Sequence, residues 1–113
     1  MTQEISNLDM EIGSGIAAFE TRQFTRAAGL LSPLADAGEP QAQYRMAIMA
    51  QNGLGMTENP DLAFRYMKAA AEAGVDLAQH GLAFMYMEGE CTPKDPEQAV
   101  FWFRKAAEQG LAG

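Results

Sequence analysis

Few side chains in this sequence could do chemistry, and their spacing matches no catalytic or metal-binding motif. The chain has one histidine and one cysteine, His80 and Cys91. Their separation is not typical of metal ligands, and a general base needs a positioned companion. A redox role for Cys91 needs a lowered pKa, which the neighbouring carboxylate of Glu90 opposes. We therefore interpret His80 as a packed or groove-lining imidazole and Cys91 as an exposed loop thiol without a function.

Acidic pairs and one glycine-rich segment are the other candidates for chemistry. Glu88 with Glu90 and Asp95 with Glu97 invite a glycosidase or a calcium site. However, Asp95 is explained as a helix cap, and no loop alternates acidic ligands with glycine as a calcium loop does. The segment Gly53-Leu54-Gly55 is not followed by the Gly-Lys-Ser/Thr that cradles phosphate. The sequence predicts no catalytic residue, no metal and no cofactor, and the protein is not expected to be an enzyme.

The charge balance and the first residues restrict the partners. The chain has 8 Lys and Arg against 15 Asp and Glu, a formal net charge of -7. A negative field repels the phosphates of nucleic acid and anionic lipid head groups. No apolar run has membrane-spanning length, and the N-terminus has neither the basic nor the apolar region of a signal peptide. We expect a cytoplasmic protein with a protein or peptide partner, no nucleic acid and no membrane insertion.

The chain is organised by an internal repeat. Residues 78–110 lie on residues 42–74 without a gap when they are shifted by 36 positions, from 78 to 42. Self-similarity at a fixed period of this size is the signature of stacked supersecondary units. Among the identical pairs are Ala42 and Ala78, Gln43 and Gln79, Gly53 and Gly89, Pro60 and Pro96, and Gly74 and Gly110.

The apolar pattern within each unit is helical, with spacings of three and four residues. The first unit spans 8–38 and follows a polar lead at 1–7; Pro33 is expected to bend its second helix without ending it. The other units span 39–74 and 75–110. Asn59-Pro60 and Asp95-Pro96 start the second helix in each, with a capping side chain before a proline at the first helical position. The sequence predicts one all-α domain over 1–113, built of about three antiparallel helix hairpins.

The third unit carries a set of residues at the spacing of a known helical repeat: Ala78, Leu82, Tyr86, Gly89, Asp95, Ala99, Trp102, Lys105, Ala106, Ala107 and Gly110. With these residues the third unit resembles a Sel1-like repeat, and the second unit resembles it with departures at Ala47 and Ala50. Cys91 stands where that pattern has its second glycine, which puts the conformation of the loop there in doubt. The first unit lacks the insertion between its helices and is more similar to a tetratricopeptide repeat.

The resemblance implies an α/α superhelix, a solenoid that serves as a protein-interaction scaffold, often in bacterial signalling or envelope-related assemblies. We expect the first helix of each unit to line its concave side with apolar residues edged by acids, a surface for an extended peptide or an amphipathic helix. The alternative is that these residues pack only against adjacent helices. The candidate residues are Ile12, Ile16, Phe19, Tyr44, Ile48, Asn52, His80, Phe84 and Met87.

The sequence is also compatible with two other roles. The exposed Met and aromatic residues could pair two copies as a homo-oligomer. The array could also be the docking arm of a longer protein, since the register places the first alanine of a further unit at position 114.

Overall fold

The structure, a computed structural model, describes the backbone of residues 3–110 and the side chains of residues 9–110. This part of the chain contains six helices and no strand, so the predicted all-α fold is confirmed. Its extents of 45 × 32 × 22 Å make it elongated. The helices are α1 (Gln3–Glu20), α2 (Phe24–Asp36), α3 (Pro40–Asn52), α4 (Pro60–Glu72), α5 (Asp76–Glu88) and α6 (Pro96–Glu108).

Consecutive helices pack as three hairpins, α1 with α2, α3 with α4 and α5 with α6, and each hairpin stacks on the next through α2 with α3 and α4 with α5. The structure differs from the sequence prediction at the start, because α1 already begins at Gln3 and the expected polar lead is helical from there. Met1 and Thr2 lie outside the described residues. Helix α2 runs through Pro33 to Asp36, as expected; the bend at Pro33 stays a prediction.

The second helix of each longer hairpin starts at the predicted cap. The Asn59 side chain accepts a hydrogen bond from the backbone N–H of Leu62 at 3.1 Å, and the Asp95 side chain accepts one from Gln98 at 3.3 Å. A proline follows each cap, where its missing N–H costs no helical hydrogen bond. These caps fix where α4 and α6 begin.

The loop between α3 and α4 touches the preceding hairpin closely. Gly55 has a φ of 68°, and a Cβ built on it would lie 2.4 Å from the carbonyl carbon of Phe24. Only glycine therefore fits there. In the third hairpin Cys91 takes the place of this glycine and has a φ of 66°, so the loop keeps its left-handed conformation despite the side chain. A non-glycine residue in this region is strained by about 1–2 kcal/mol.

The core consists of two clusters, one on each side of α3. The first joins α1, α2 and α3 and includes Ala18, Leu31 and Met46; the second joins α3 to α6 and includes Leu82 and Trp102. Many of the remaining members are alanines, which let helix backbones approach closely. Trp102, one of the residues that carry the resemblance in the third unit, is buried, with 8% of its surface exposed.

A glutamine ties each hairpin to the one before it. The Gln43 Nε2 donates to the carbonyl oxygen of Ala35 at 3.2 Å, and the Gln79 Nε2 donates to that of Ala71 at 3.1 Å. These carbonyls lie at the C-terminal ends of α2 and α4, where helices leave acceptors unpaired. Gln79 is a buried polar residue in the described part of the chain, and this bond satisfies its amide.

Candidate functional site

The nine candidate residues lie on α1, α3 and α5, the first helices of the three hairpins; we call this surface the A-helix face. α3 and α5 keep the 36-residue register. α1 ends at Glu20 as α3 ends at Asn52, so α1 aligns with α3 at a shift of 32 residues. Four sets of residues match in this register: Ile12, Tyr44 and His80; Ile16, Ile48 and Phe84; Phe19, Gln51 and Met87; and Glu20, Asn52 and Glu88.

The candidate residues of the first hairpin are only partly exposed to solvent. Ile12, Ile16 and Phe19 are half-buried, and Ile12 and Phe19 pack against the first core cluster. The Phe19 ring meets the Phe24 ring edge to face, with 5.7 Å between the centroids. This end of the A-helix face therefore contributes both to the core and to the surface.

Arg45 joins α1 and α3, and no pattern in the sequence marks it as part of the face. Its Cζ lies 5.9 Å from the centroid of the Phe19 ring and 5.7 Å from that of the Tyr44 ring. Its Nη1 donates to the side-chain Oε1 of Gln41 at 2.8 Å and to the carbonyl of that residue at 3.2 Å. Helical periodicity could not reveal this bridge, because it depends on the distance between α1 and α3.

The middle of the face is formed by Tyr44 and Ile48, both half-buried against the second core cluster. Burial raises the pKa of the Tyr44 hydroxyl; Asp76 raises it further and Arg45 lowers it. Asn52 is exposed, but its Nδ2 donates to the carbonyl of Ile48 at 2.9 Å. The Asn52 amide thus folds back on its own helix.

An aromatic cluster forms the third part of the face. The His80 ring lies 4.9 Å from the Phe84 ring and 5.4 Å from the Phe103 ring, and the two phenylalanines are 5.1 Å apart, all edge to face. Phe84 remains 42% exposed, whereas His80 and Met87 are half-buried. Phe103 lies on α6 and is half-buried. His80 is packed between aromatic rings, in line with its interpretation.

Polar groups follow the apolar part of the face toward the C-terminal ends of its helices. Glu20 and Glu88 are exposed, and the Gln51 Nε2 donates to the Glu90 Oε1, which joins α3 to the loop after α5. The acids expected at the edge are therefore present at the surface. This edge would favour a basic group on a bound segment.

Cys91 differs from its predicted environment, because it is half-buried and packs against the second core cluster. Burial raises its pKa, and the carboxylates of Glu90, Glu58 and Asp61 raise it further. A thiol with a raised pKa is a poor nucleophile at neutral pH. Within residues 9–110, no group of three or more His, Cys, Asp or Glu side chains is placed to hold a metal ion.

Three depressions in the described part of the chain lie on the first hairpin. The largest of these has a volume of about 450 Å³ and is lined by α1 and α2, among others by Ser14, Thr21 and Arg26. None of the three depressions is lined by a candidate residue of the A-helix face. These three depressions therefore lie apart from the A-helix face.

Comparison with known proteins identifies the family. The sequence profile of the Sel1 repeat matches residues 40–75 and 76–111. The chain belongs to the Sel1 repeat family. The resemblance seen in the second and third units is thereby confirmed.

Solved structures of Sel1 repeat proteins share this fold. A Sel1 repeat protein from Oxalobacter formigenes is 31% identical, with a TM-score of 0.85 over 89% of this chain and 40% of its own. The c5321 protein, a protective antigen of uropathogenic Escherichia coli with an SLR fold, is 28% identical, with a TM-score of 0.86 over 96% of this chain and 24% of its own. The chain thus spans less than half of either protein. No curated protein matches it.

Sel1 repeats are in general non-catalytic scaffolds that bind other proteins. In residues 3–110, no helix combines the length and the apolar character needed to cross a membrane.

Proposed function

We propose that this Sel1 repeat protein is an adaptor that binds an amphipathic helix or an extended peptide of another protein along the A-helix face, on the concave side of the solenoid. The observation that supports it best is the exposed Phe84 ring, held edge to face by His80 and Phe103. An aromatic side chain that is already ordered loses little entropy on binding, which makes it a suitable anchor.

The rest of the face has the chemistry of such a surface. Tyr44 and Ile48 continue the apolar part toward the first hairpin, where the Arg45 guanidinium lies against the Phe19 ring. Glu20 and Glu88 add negative charge at one edge, in a chain with a net charge of -7. A bound segment would place apolar residues on the helices and a basic residue at this edge.

The proposal is tested by comparing partner capture by the Phe84→Glu variant with capture by a matched control variant. Phe101 on α6 is 45% exposed, nearly as much as Phe84, but lies outside the A-helix face. Phe84→Glu should lose the partner, while Phe101→Glu should keep it, and both should retain the helical circular dichroism of the parent. Retention of the partner by a folded Phe84→Glu protein would refute the proposal.

Ile48→Glu is less informative, because Ile48 also packs against the core and its replacement would disturb folding. Self-association is the second candidate, and it is favoured by the exposed Val100 and Phe101 on α6. Sedimentation at several protein concentrations distinguishes the two functions. A protein that stays monomeric at the highest concentration would exclude self-association.

A further inference from the structure

Arg45 is the one Lys or Arg on the three helices that form the A-helix face. The sequences of α1 and α5 contain neither residue type, and α3 contains Arg45 alone. α3 also lacks Asp and Glu, so no acid on its own helix neutralises this charge. The acids of the face include Glu20 and Glu88, at the last positions of α1 and α5. The face thus has a positive group at its centre and negative groups toward one edge.

The Arg45 side chain is held in one place by its neighbours. Its guanidinium carbon lies against two aromatic rings, 5.9 Å from the centroid of Phe19 and 5.7 Å from that of Tyr44. Its Nη1 donates to the carbonyl and to the side-chain Oε1 of Gln41, one turn earlier on α3. A guanidinium that stacks on rings keeps the donors at its edge for a planar acceptor. The charge is therefore positioned before a partner binds.

The hydrogen bonding of this guanidinium is incomplete. Within residues 9–110 both of its hydrogen bonds come from Nη1, and both go to neutral groups of Gln41. The Nε is buried without a partner, whereas the Nη2, which makes no hydrogen bond to these residues either, is not fully buried. A carboxylate is the acceptor that best matches such a cation, because the bond is assisted by both charges.

The acids of the described chain do not supply this carboxylate. Asp76, whose charge acts on the Tyr44 hydroxyl, uses its Oδ1 to accept the backbone N–H of Leu77 at 2.7 Å. Glu4 has its side chain outside the described residues, but it lies 15 positions before Phe19 on α1, about 22 Å along the helix. Arg45 is therefore open to an acid of a bound segment.

The helices on either side of α3 leave room beside Arg45. At the shifts of 32 and 36 residues, its position is occupied by Gly13 on α1 and by Gly81 on α5. A Cβ on Gly13 would meet nothing within 4 Å, and one on Gly81 would lie 3.0 Å from the side chain of Met67. The hairpins before and after α3 both belong to the described residues, so these surroundings are complete. A bound segment can approach Arg45 without meeting a side chain from either glycine.

We propose that Arg45 recognises an acidic side chain, Asp or Glu, of the segment that binds the A-helix face. This inference rests on the proposed adaptor function and names the chemistry that selects its partner. The carboxylate accepts a hydrogen bond from the Arg45 Nη2, while apolar residues of the segment contact Tyr44 and Ile48. On α3, Arg45 lies seven positions, about 10 Å, before the edge position of Asn52. The segment therefore carries its acid apart from the basic residue that the acidic edge favours.

The test selects binders of the full chain from a phage-displayed library of random peptides of about 16 residues, enough for a helix of about 24 Å. Clones that also bind the Phe84→Glu variant are removed, so that the remaining clones use the A-helix face. We expect these clones to share an Asp or Glu at a constant distance from their apolar residues. Replacement of this acid by its amide should weaken binding about tenfold, measured by fluorescence anisotropy.

Variants of the protein assign this preference to Arg45. Arg45→Gln should also weaken binding about tenfold, and the acid and its amide should then bind equally, as a double-mutant cycle measures. A new selection on Arg45→Glu should favour Lys or Arg in place of the acid. Arg104→Gln removes the same charge from an exposed position of α6 and should bind like the parent. Circular dichroism verifies that each variant remains helical.

The outcomes separate this inference from the adaptor proposal. Clones that depend on Phe84 but show no preference for an acid, or that tolerate Arg45→Gln, would overturn the inference and leave the adaptor proposal intact. If no clone depends on Phe84, the adaptor proposal fails, and the role of Arg45 fails with it.

Discussion

Tyr66 on α4 donates its hydroxyl hydrogen to the Asp36 carboxylate at the end of α2, across the boundary between the first and second hairpins. The Tyr66 ring packs against both core clusters. This residue therefore links the clusters through its ring and the hairpins through its hydroxyl. Burial raises the pKa of Tyr66 to about 12, and the hydrogen bond to Asp36 contributes in the same direction.

Tyr66 should make folding stability depend on alkaline pH. The folded pKa lies above the ordinary value of 10.0, so the folded state retains the proton longer than the unfolded state. This contribution is complete below pH 10 and is lost as the pH rises toward 12. The free energy of unfolding, measured with urea, should decline less steeply between pH 10 and 12 in Tyr66→Phe than in the parent protein. An equal decline in both proteins would contradict this assignment.

Gly55→Ala should destabilise the protein much more than Gly53→Ala. Both glycines have positive φ, which costs alanine about 1 kcal/mol at either position. At Gly55 the added Cβ would also lie 2.4 Å from backbone atoms of Phe24, whereas at Gly53 its nearest neighbour is 3.5 Å away. The added Cβ would push the first two hairpins apart. Gly55→Ala should therefore lower the free energy of unfolding, measured with urea, by about 1–3 kcal/mol more than Gly53→Ala does. Equal losses would show that the contact with Phe24 is not restrictive.

The two glycines of α1 should respond to alanine with opposite signs. A Cβ on Gly13 meets nothing within 4 Å, so Gly13→Ala should stabilise the protein by about 0.5–1 kcal/mol through helix propensity. A Cβ on Gly15 would lie 2.4 Å from the Cδ2 of Leu31, which is fully buried. Gly15→Ala should therefore lower the thermal midpoint and Gly13→Ala should raise it. A shift of the same sign in both would refute the close approach of α1 and α2.

The sequence predicted the helices well where the signal is local. Asn59 and Asp95 stand directly before a proline, and each caps the helix that the pair predicted. The 36-residue repeat predicted how α3 and α4 align with α5 and α6, because identical residues at identical spacing form similar hairpins. The two glycines of α1 would each be explained by a close neighbour; Leu31 is that neighbour for Gly15, whereas a Cβ on Gly13 would meet nothing within 4 Å.

The sequence predicted less where contacts join different helices. Arg45 reaches Phe19 on α1 because the two helices are close at this point, and no periodicity encodes that distance. Cys91 was predicted to be an exposed loop thiol, but it packs against the second core cluster and is half-buried. Phe103 occupies the position of Met67, which is buried in the second unit, but Phe103 is half-buried and packs edge to face against His80 and Phe84.

The Cys91 thiol should react slowly with disulfide reagents, and its rate should rise only at alkaline pH. Burial is the main cause of its raised pKa, and the Glu90 carboxylate raises the pKa further because it disfavours a second negative charge nearby. Since the thiolate is the reactive form, the midpoint of the rate against pH should lie above that of a small-molecule thiol. Glu90→Gln should lower the midpoint, because an amide carries no charge, while Glu20→Gln on the exposed surface of α1 should not change it. A midpoint at or below that of the free thiol would show that neither burial nor Glu90 controls this cysteine.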